Sequence, residues 1–326
     1  MAKRQSLERS QRLLADIGGT NVRFALQSPG GKPHSFVVLQ QQDYRSLTIA
    51  IRDYLGRFDT RPDLNAAAFG VAAPTGNDVI DFTNSPWTFS QRRIRKAFGL
   101  ERLEVINDFA AVALAIPHLS SSDWRKLGRG KRVPDAPVAV LGPGTGLGVS
   151  CLVPTSTGFR ALETEGGHVT LAPFNDYEAG VLGFLRPKFD HISAERVLSG
   201  PGLVNLYMAV ALLEGRPIRR LTPSTITRRA ASGECPVCTD VVDMFSEILG
   251  TVASNLALSV GARGGVFVAG GIVPRMGTTF NGRKFRSRFE DKGPSDYLRE
   301  IPTYVVTHAA PAFLGLAHLL DRESTD

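Results

Sequence analysis

Short apolar runs typical of buried strands alternate along the chain with stretches whose apolar residues recur every three or four positions, as in helices. Strands are expected twice within 13–26, near 35–39, at 66–71, 79–82 and 103–106, twice within 138–153, at 265–269 and at 303–306. Helices are expected at 47–58, from 109 onward, at 193–198, 202–213, 239–261 and 311–320. This alternation predicts an α/β protein.

Two of the strand pairs are joined by glycine-rich turns. Gly18-Gly19-Thr20-Asn21 connects the first pair, with Asp16 just before it. Glycines let backbone N–H groups approach an anion, and Thr20 and Asn21 can add side-chain donors. An ordinary hairpin turn accounts for this segment almost as well.

The second turn repeats this chemistry within 138–153, where Gly142, Gly144, Gly146 and Gly148 alternate around Thr145. It is not G-x-G-x-x-G and leads into a strand rather than a helix, which argues against a dinucleotide-binding turn. The chain also lacks G-x-x-x-x-G-K-[ST], the phosphate loop of another large class of nucleotide-binding enzymes. Two related hairpins suggest a duplicated α/β core with a nucleotide between the halves.

Asn107-Asp108 lies where a strand pattern runs directly into a helical one. Asp108 could be a helix N-cap, a position that both Asn and Asp favour. It could instead be a carboxylate at the carboxyl end of a buried strand, where open α/β sheets place their ligands.

Further polar segments offer groups for a hydroxyl-rich ligand. Glu165-Gly-Gly-His168 places a carboxylate and an imidazole around two glycines, and Glu195 has no evident capping role, although a solvated side chain explains it too. Thr83-Asn-Ser-Pro-Trp87 is either a turn anchored in the core by Trp87 or a segment that presents the Asn84 amide to a ligand. The glycines 270 and 271 follow a buried strand and suit a flat base against bare backbone, or a plain connection to a helix.

Composition limits the class of protein. A chain of 326 residues with 43% hydrophobic and 21% charged residues suits a globular protein of two domains. No apolar run approaches a membrane span, and residues 1–12 form a polar leader without a signal-peptide core, so we expect a cytoplasmic protein.

The net charge favours small anionic ligands, and the cysteine content does not require a metal or redox site. The net charge of +7 is spread along the chain, with small clusters at 92–96 and 219–220, and could steer an anionic substrate such as a nucleotide. No nucleic-acid-binding motif accompanies it. Cys235-Pro-Val-Cys238 has the spacing of half a zinc site or a redox pair, but no second pair follows, and a solvent-facing helix start is the simpler interpretation.

Taken in order, these segments resemble the proteobacterial type of glucokinase, in the superfamily of hexokinase, actin and heat-shock ATPases. The matching segments are 16–21, 83–87, 106–109, 142–148, 165–168, 193–207 and 268–274, which cover nearly the whole chain. The polar leader and Pro143 in the second glycine turn depart from the pattern without removing a chemical group. The cysteine-rich motif of related repressors and a helix-turn-helix leader are both absent from the sequence, which argues against a transcription factor.

The resemblance implies a ribonuclease-H-like, actin-like ATPase fold, with a cleft between a small domain (1–118, completed by the helix at about 309–326) and a large one (119–308). It implies ATP-dependent phosphorylation of the glucose 6-hydroxyl, in a cytoplasmic homodimer. By position, Asp108 resembles the catalytic base. The sugar ligands implied are Asn84, Asn107, Asp108, Glu165, His168 and Glu195. The nucleotide contacts implied are Asp16, Ile17, Gly18, Gly19, Thr20, Asn21, Gly144, Thr145, Gly146, Gly270 and Gly271.

The cofactors implied are ATP and Mg²⁺. The metal would be carried by the nucleotide, since Mg²⁺ prefers phosphate oxygens and water with at most one or two carboxylates, and Asp16 is the expected protein neighbour. Three alternatives stay open from sequence: a kinase for another hexose or an N-acetylhexosamine, an actin-like ATPase without a sugar substrate, and an inactive sugar sensor.

Overall fold

The computed structural model describes residues 11–82, 87–293 and 295–322. The chain divides into two compact units, one formed by Met1–Leu119 with His308–Asp326 and the other by Ser120–Thr307. The predictions for Asn84 and for most of the polar leader fall outside the described residues.

Unit 1 is built on a five-stranded sheet with strand order β3-β2-β1-β4-β7. Its strands are β1 Gln11–Ile17, β2 Asn21–Gln27, β3 His34–Gln40, β4 Leu64–Val71 and β7 Arg102–Asn107, with a separate hairpin of β5 Val79–Asp81 and β6 Thr88–Ser90. Its helices, numbered in chain order through the whole protein, are α1 Leu47–Leu55, α2 Gln91–Phe98, α3 Asp108–Ala115 and α11 Pro311–Asp321. β1 is antiparallel to β2 but parallel to β4, and β4 is parallel to β7.

The two faces of this sheet are covered by different helices. Phe69 and Val71 of β4 belong to the same buried cluster as Leu47 and Ile51 of α1. Gly70, between them, faces Ala111 of α3 and Leu316 of α11. Because successive strand residues point to opposite faces, α1 covers one side of the sheet and the pair α3–α11 covers the other.

α11 packs closely on α3, the helix that begins at Asp108. A Cβ atom added at Gly315 of α11 would overlap the carbonyl oxygen of Ala111, so the small residue permits the approach. Arg102 of β7 donates to the carbonyl oxygens of Leu319, Leu320 and Arg322, at 3.1, 3.3 and 2.9 Å, and so caps the end of α11.

Unit 2 contains a six-stranded sheet with strand order β11-β10-β9-β12-β13-β8. The strands are β8 Trp124–Leu127, β9 Val138–Pro143, β10 Leu147–Thr155, β11 Gly158–Glu163, β12 Val266–Val268 and β13 Thr303–Val306. The helices are α4 Asp176–Leu185, α5 Gly200–Leu213, α6 Pro223–Ala231, α7 Pro236–Val260, α8 Ile272–Met276, α9 Gly282–Glu290 and α10 Ser295–Glu300.

The two sheets repeat one pattern. In each, a three-stranded antiparallel meander adjoins two strands parallel to its first strand, giving β3-β2-β1-β4-β7 in unit 1 and β11-β10-β9-β12-β13 in unit 2. This agrees with the duplicated α/β core suggested by the two glycine hairpins. Unit 2 adds β8, antiparallel to β13, at one edge.

α7 forms the centre of the unit 2 core. By length and composition this 25-residue helix could cross a membrane, but 72% of its apolar window is buried inside the structure, which explains its apolarity by packing. Its first turn agrees in part with the expected solvent-facing start: Pro236 and Thr239 are exposed, whereas Cys238 is fully buried. Cys235 is the N-cap, and its Sγ accepts from the Cys238 N–H at 3.4 Å.

Several elements differ from those expected. The helix predicted at 193–198 is a single 3₁₀ turn at Ala194–Arg196, whose Ala194 N–H donates to the Val169 carbonyl of a neighbouring segment. The sequence patterns did not identify β8, β11, α2, α4, α6, α9 or α10.

Candidate functional site

The first glycine turn, Gly18–Asn21, joins β1 to β2 as predicted. The Gly18 N–H donates to the Asn21 carbonyl at 3.0 Å and closes the turn. Among the described residues, the N–H groups of Gly19 and Thr20 have no hydrogen-bond acceptor. Consecutive unpaired N–H groups in a turn form an anion-binding concavity, which is the property expected of this segment.

Gln41, which no sequence pattern marked, holds this turn from behind. Its backbone N–H donates to the Thr20 carbonyl at 2.9 Å, and its side-chain amide donates to the Gly18 carbonyl. Gln41 is only 3% exposed. In the described part of the chain, neither Gln41 Oε1 nor the buried Asn21 Oδ1 has a donor. Buried acceptors without donors are costly, so their presence beside the turn favours a bound water, cation or ligand there.

Asp16 is the carboxylate of this turn. Its side chain is 19% exposed and lies 3.4 Å from the Arg23 guanidinium. Burial raises the pKa of Asp16, and the positive charge of Arg23 offsets part of that rise. A carboxylate that is costly to ionise here would gain from a nearby cation.

Asn107 and Asp108 divide two roles at the start of α3. Asn107, not Asp108, is the N-cap: its Oδ1 accepts from the N–H groups of Phe109 at 2.9 Å and Ala110 at 3.2 Å. Asp108 is the first helical residue, and its Oδ1 also accepts from Phe109 N–H, at 2.8 Å. The interpretation of Asp108 as the helix cap is therefore wrong, since Asn107 does that work.

The strand register brings Asp108 and the first turn to one edge of the sheet. Ile17 of β1 pairs with Val71 of β4, and Val71 pairs with Asn107 of β7. All three strands are parallel, so Gly18 and Asp108 both follow carboxyl ends. Adjacent strands lie about 4.8 Å apart, which separates these two positions by roughly 10 Å.

The second glycine turn, Gly144–Gly146, joins β9 to β10. The Gly144 N–H donates to the Gly146 carbonyl at 2.8 Å, and the Gly200 N–H at the start of α5 donates to the Gly144 carbonyl at 2.9 Å. Within the described segments, the N–H groups of Thr145 and Gly146 have no acceptor. The turn thus repeats the pair of unpaired donors seen in the first.

Glu195 is bound to this turn and is not a freely solvated side chain. Its Oε2 accepts from the Leu147 N–H at 2.8 Å. A Cβ at Gly146 would overlap the same oxygen, so the glycine lets the carboxylate approach. The positions predicted separately for the sugar and for the nucleotide are therefore in contact.

The Glu165–His168 segment packs on the same strand. A Cβ at Gly166 would lie 2.7 Å from Val149 Cγ1, and one at Gly167 would overlap the Leu147 carbonyl oxygen. Close packing on β10 therefore accounts for these two glycines. Glu165 and His168 remain exposed, with Oε2 and Nε2 3.8 Å apart.

Gly270 also reaches the second turn. Its φ of +76° favours glycine, and a Cβ there would overlap the Pro143 carbonyl oxygen. Gly271 is the N-terminal cap of α8. The structure therefore gathers Gly144–Gly146, Glu195 and Gly270 around one turn in unit 2, and Asp16–Asn21, Asn107 and Asp108 along one sheet edge in unit 1. Over the described ranges, no three His, Cys, Asp or Glu side chains form a metal-binding group.

Comparison with known proteins places this arrangement in context. The family model described as Glucokinase matches residues 13–323. The glucokinase of Paramagnetospirillum magneticum is 52% identical over 310 residues, which are 94% of this chain and 97% of that protein. The glucokinase of Chromobacterium violaceum is 46% identical over 95% of this chain and 89% of its own length.

A solved structure agrees with these relatives. The crystal structure of glucokinase from an Antarctic psychrotroph superposes with a TM-score of 0.83 at 38% identity, covering 96% of this chain and 99% of its own. The similarity therefore spans both units.

Proposed function

The chain belongs to the glucokinase family, and from that premise we propose that it transfers the terminal phosphoryl group of ATP to the 6-hydroxyl of glucose. The products are glucose 6-phosphate and ADP. The observation that carries the proposal is the edge of the unit 1 sheet, where a turn with unpaired N–H groups and Asp108 follow parallel strands in register.

Asp108 is the proposed general base. It follows β7 directly as the first residue of α3, where Asn107 is the N-cap, and its Oδ1 accepts from the Phe109 N–H. It would accept the proton of the sugar's primary hydroxyl as that oxygen attacks phosphorus in line. Positioning and electrostatics supply most of the acceleration in phosphoryl transfer, with the base contributing a further factor.

The two glycine turns are the proposed phosphate contacts. Gly19 and Thr20 in one unit, and Thr145 and Gly146 in the other, offer unpaired N–H groups of the kind that bind phosphate oxygens. Gly270, against the end of β9, is the proposed surface for the adenosine. We propose that ATP and glucose are bound by groups from both units.

The residues at the first turn fit a magnesium ion carried by ATP. Asp16 is a single, partly buried carboxylate with a raised pKa, and Mg²⁺ bound to phosphates uses at most one or two protein carboxylates. When bound, the ion would neutralise charge between the phosphates. Asp16 would then hold the ion, directly or through water, beside the turn.

Glu165, His168, Glu195 and Asn107 are the proposed sugar ligands, together with Asn84 on the family pattern. Glu195 is the best supported of the unit 2 residues, since one carboxylate oxygen is fixed by Leu147 N–H while the side chain stays half-buried. We also propose, on the family resemblance, that the enzyme acts in the cytoplasm as a homodimer. Light scattering coupled to gel filtration measures the molar mass in solution and so tests the homodimer directly.

Substrate preference tests the function. Coupled ADP release should be measured with glucose, mannose, fructose and N-acetylglucosamine, and without sugar. We expect glucose to be preferred, because a buried polar site that loses one matched hydroxyl is left unpaired at a cost of about 1–3 kcal/mol. ADP release that is independent of sugar would instead support an actin-like ATPase, and equal turnover of all four sugars would contradict the glucose assignment.

A further inference from the structure

A basic cleft lies at the end of the unit 2 sheet opposite its glycine turns. Its cavity of about 670 Å³ is lined by residue 126, residues 128–133, Arg263, Tyr297, Glu300 and Ile301. These segments precede β9, β12 and β13, whereas Gly144–Gly146 and Gly270 follow the carboxyl ends of β9 and β12. β9 has six residues, which puts roughly 20 Å between the cleft and the second turn.

The walls of the cleft are joined by backbone hydrogen bonds. The Lys131 N–H donates to the Glu300 carbonyl at 3.2 Å, and the Val133 N–H donates to the Arg263 carbonyl at 3.0 Å. Gly130 has a φ of +97°, and a Cβ there would lie against the Glu300 carbonyl. The loop of residues 128–133, which forms one wall, is thus hydrogen-bonded to the two other walls, at Glu300 and at Arg263.

A buried arginine braces one of these walls from inside. Arg286 is 7% exposed and donates to the carbonyl oxygens of Leu298, Arg299 and Ile301, at 3.1, 2.9 and 2.7 Å. A Cβ at Gly128 would lie 2.7 Å from Arg286 Cδ, so the opposite loop packs on the same side chain. The cleft is therefore preformed.

The cleft has a strong excess of positive charge. Five cationic side chains line it, against the single carboxylate of Glu300: Lys126, Arg129, Lys131, Arg132 and Arg263. Lys126 and Arg132 donate to the carbonyls of Gly130 and Gly264, at 2.6 and 3.0 Å. Over residues 11–82, 87–293 and 295–322, the side chains of the other three make neither an ion pair nor a hydrogen bond.

The remaining lining residues are apolar or aromatic. Val133 and Ile301 contribute aliphatic surface, and Tyr297 contributes an aromatic ring. Small-molecule sites have volumes of about 300–1,000 Å³ and combine apolar walls with a few polar groups that fix the ligand. Arginine and lysine recognise phosphate through charge-assisted hydrogen bonds.

We propose that this cleft binds a phosphorylated ring compound, a sugar phosphate or a nucleoside monophosphate, at a site separate from the proposed catalytic centre. Arg129, Lys131 and Arg263 hold the phosphate, and the apolar walls and Tyr297 hold the ring.

Calorimetric titration with AMP, glucose 6-phosphate and inorganic pyrophosphate tests this. Saturating glucose and a non-hydrolysable ATP analogue should be present to occupy the catalytic centre. The double variant Arg129→Gln/Lys131→Gln removes two exposed cations of the cleft. The matched control Arg93→Gln/Lys96→Gln removes two exposed cations from α2, and both variants should fold as the parent does.

We expect one saturable site for AMP or glucose 6-phosphate, at least about tenfold weaker in the cleft variant and unchanged in the control. Comparing these two ligands identifies the source of the phosphate. Binding of pyrophosphate alone would overturn the role of the ring. The absence of saturable binding, or an equal loss in both variants, would overturn the site.

Discussion

At the scale of the residue, Asn107 and Asp108 occupy two distinct positions at the start of α3, the N-cap and the first helical residue. The amide oxygen of Asn107 accepts from the N–H groups of Phe109 and Ala110, and Asp108 Oδ1 accepts from the first of these as well. The same order occurs in α4, where Asn175 caps the helix and Asp176 is its first residue. The pair at α4 is exposed and offers a control for the pair at α3.

Asp108→Asn should fold as the parent does and lose sugar phosphorylation by at least about a hundredfold. The change preserves shape but removes the proton acceptor, and general-base assistance is worth about 10²–10⁴ in rate. Glucose binding should stay within about tenfold, because an amide keeps much of the hydrogen bonding. Steady-state kinetics and calorimetry measure the two effects.

Asp176→Asn is the matched control for that experiment, since it makes the same change at the same helical position. Its kinetics should equal those of the parent. Near-parental turnover by the Asp108 variant would remove the base from the mechanism and leave the carboxylate with a local structural role.

At the scale of the element, the contact between α3 and α11 determines how the start of α3 is held. Gly315 lets the two helices approach until there is no room for a Cβ beside Ala111. Gly183 in α4 offers the opposite environment, because a Cβ there would meet no atom within 4 Å.

Gly315→Ala should lower the free energy of unfolding by about 1–3 kcal/mol, because an overpacked contact forces the backbone to shift. It should also reduce turnover, since α3 carries Asp108 at its first position. Gly183→Ala should instead raise the free energy of unfolding by about 0.5–1 kcal/mol, because alanine loses less backbone entropy in a helix. Urea unfolding of both variants checks the contrast, and equal effects would refute the packing argument.

A pair of histidine rings links the end of α3 to α11. The rings of His118, in the 3₁₀ turn after α3, and His318 of α11 have centroids 4.1 Å apart. Burial lowers the pKa of both, and their mutual repulsion lowers that of His318 further, while Asp321 partly opposes both shifts. Both rings are therefore neutral in the folded protein at neutral pH.

Unit 1 should lose stability as the pH falls below about 6.5, the ordinary value for histidine. As the pH falls, these two histidines bind protons in the unfolded chain before they do so in the folded one. Their contribution to stability is therefore fully present above the unfolded pKa, and it is lost as the pH falls through the lower pKa values of the folded state. Urea midpoints between pH 8 and pH 5 should fall less steeply in His118→Gln/His318→Gln than in the parent. His34→Gln, at an exposed position, should keep the parental slope, and identical slopes in all three would contradict the assignment.

At the scale of the whole molecule, the proposal that both units bind one pair of substrates predicts a change on sugar binding. Saturating glucose should lower the radius of gyration measured by small-angle scattering and slow proteolysis, because ligands held by two domains draw them together. The control is a hexose that the enzyme does not phosphorylate, and galactose is the first to be assayed for this use. If saturating glucose changes neither the scattering curve nor the rate of proteolysis, closure is excluded.

Much of this organisation could be predicted from the sequence, for definite reasons. Both glycine hairpins, β4, β7, β13 and α11 follow from local periodicity and turn residues, and the structure confirms them. The duplication followed from the likeness of the hairpins. Elements such as β8 and β11 were missed, because their charged or exposed residues interrupt the apolar pattern.

The candidate site was harder, because side-chain partners distant in sequence are invisible to local patterns. Glu195 is bound by Leu147, 48 positions away, and Gln41 holds a turn 23 positions before it. The five cations of the cleft were likewise overlooked, although four of them lie within residues 126–132. Only the fold brings Arg263 beside them.

The division of the chain has a consequence for its synthesis. Unit 2 is continuous, whereas unit 1 combines the first 119 residues with a segment that begins at His308. A ribosome therefore completes every residue of unit 2 before it makes α11, and until then the nascent unit 1 exposes the apolar face of α3 that α11 later covers. Residues 1–119 therefore lack α11, and stay accessible to chaperones, while unit 2 is translated and completes its fold. Chains that end at Thr307 and have been released from the ribosome should accordingly show a protease-resistant unit 2 beside a cleavable unit 1.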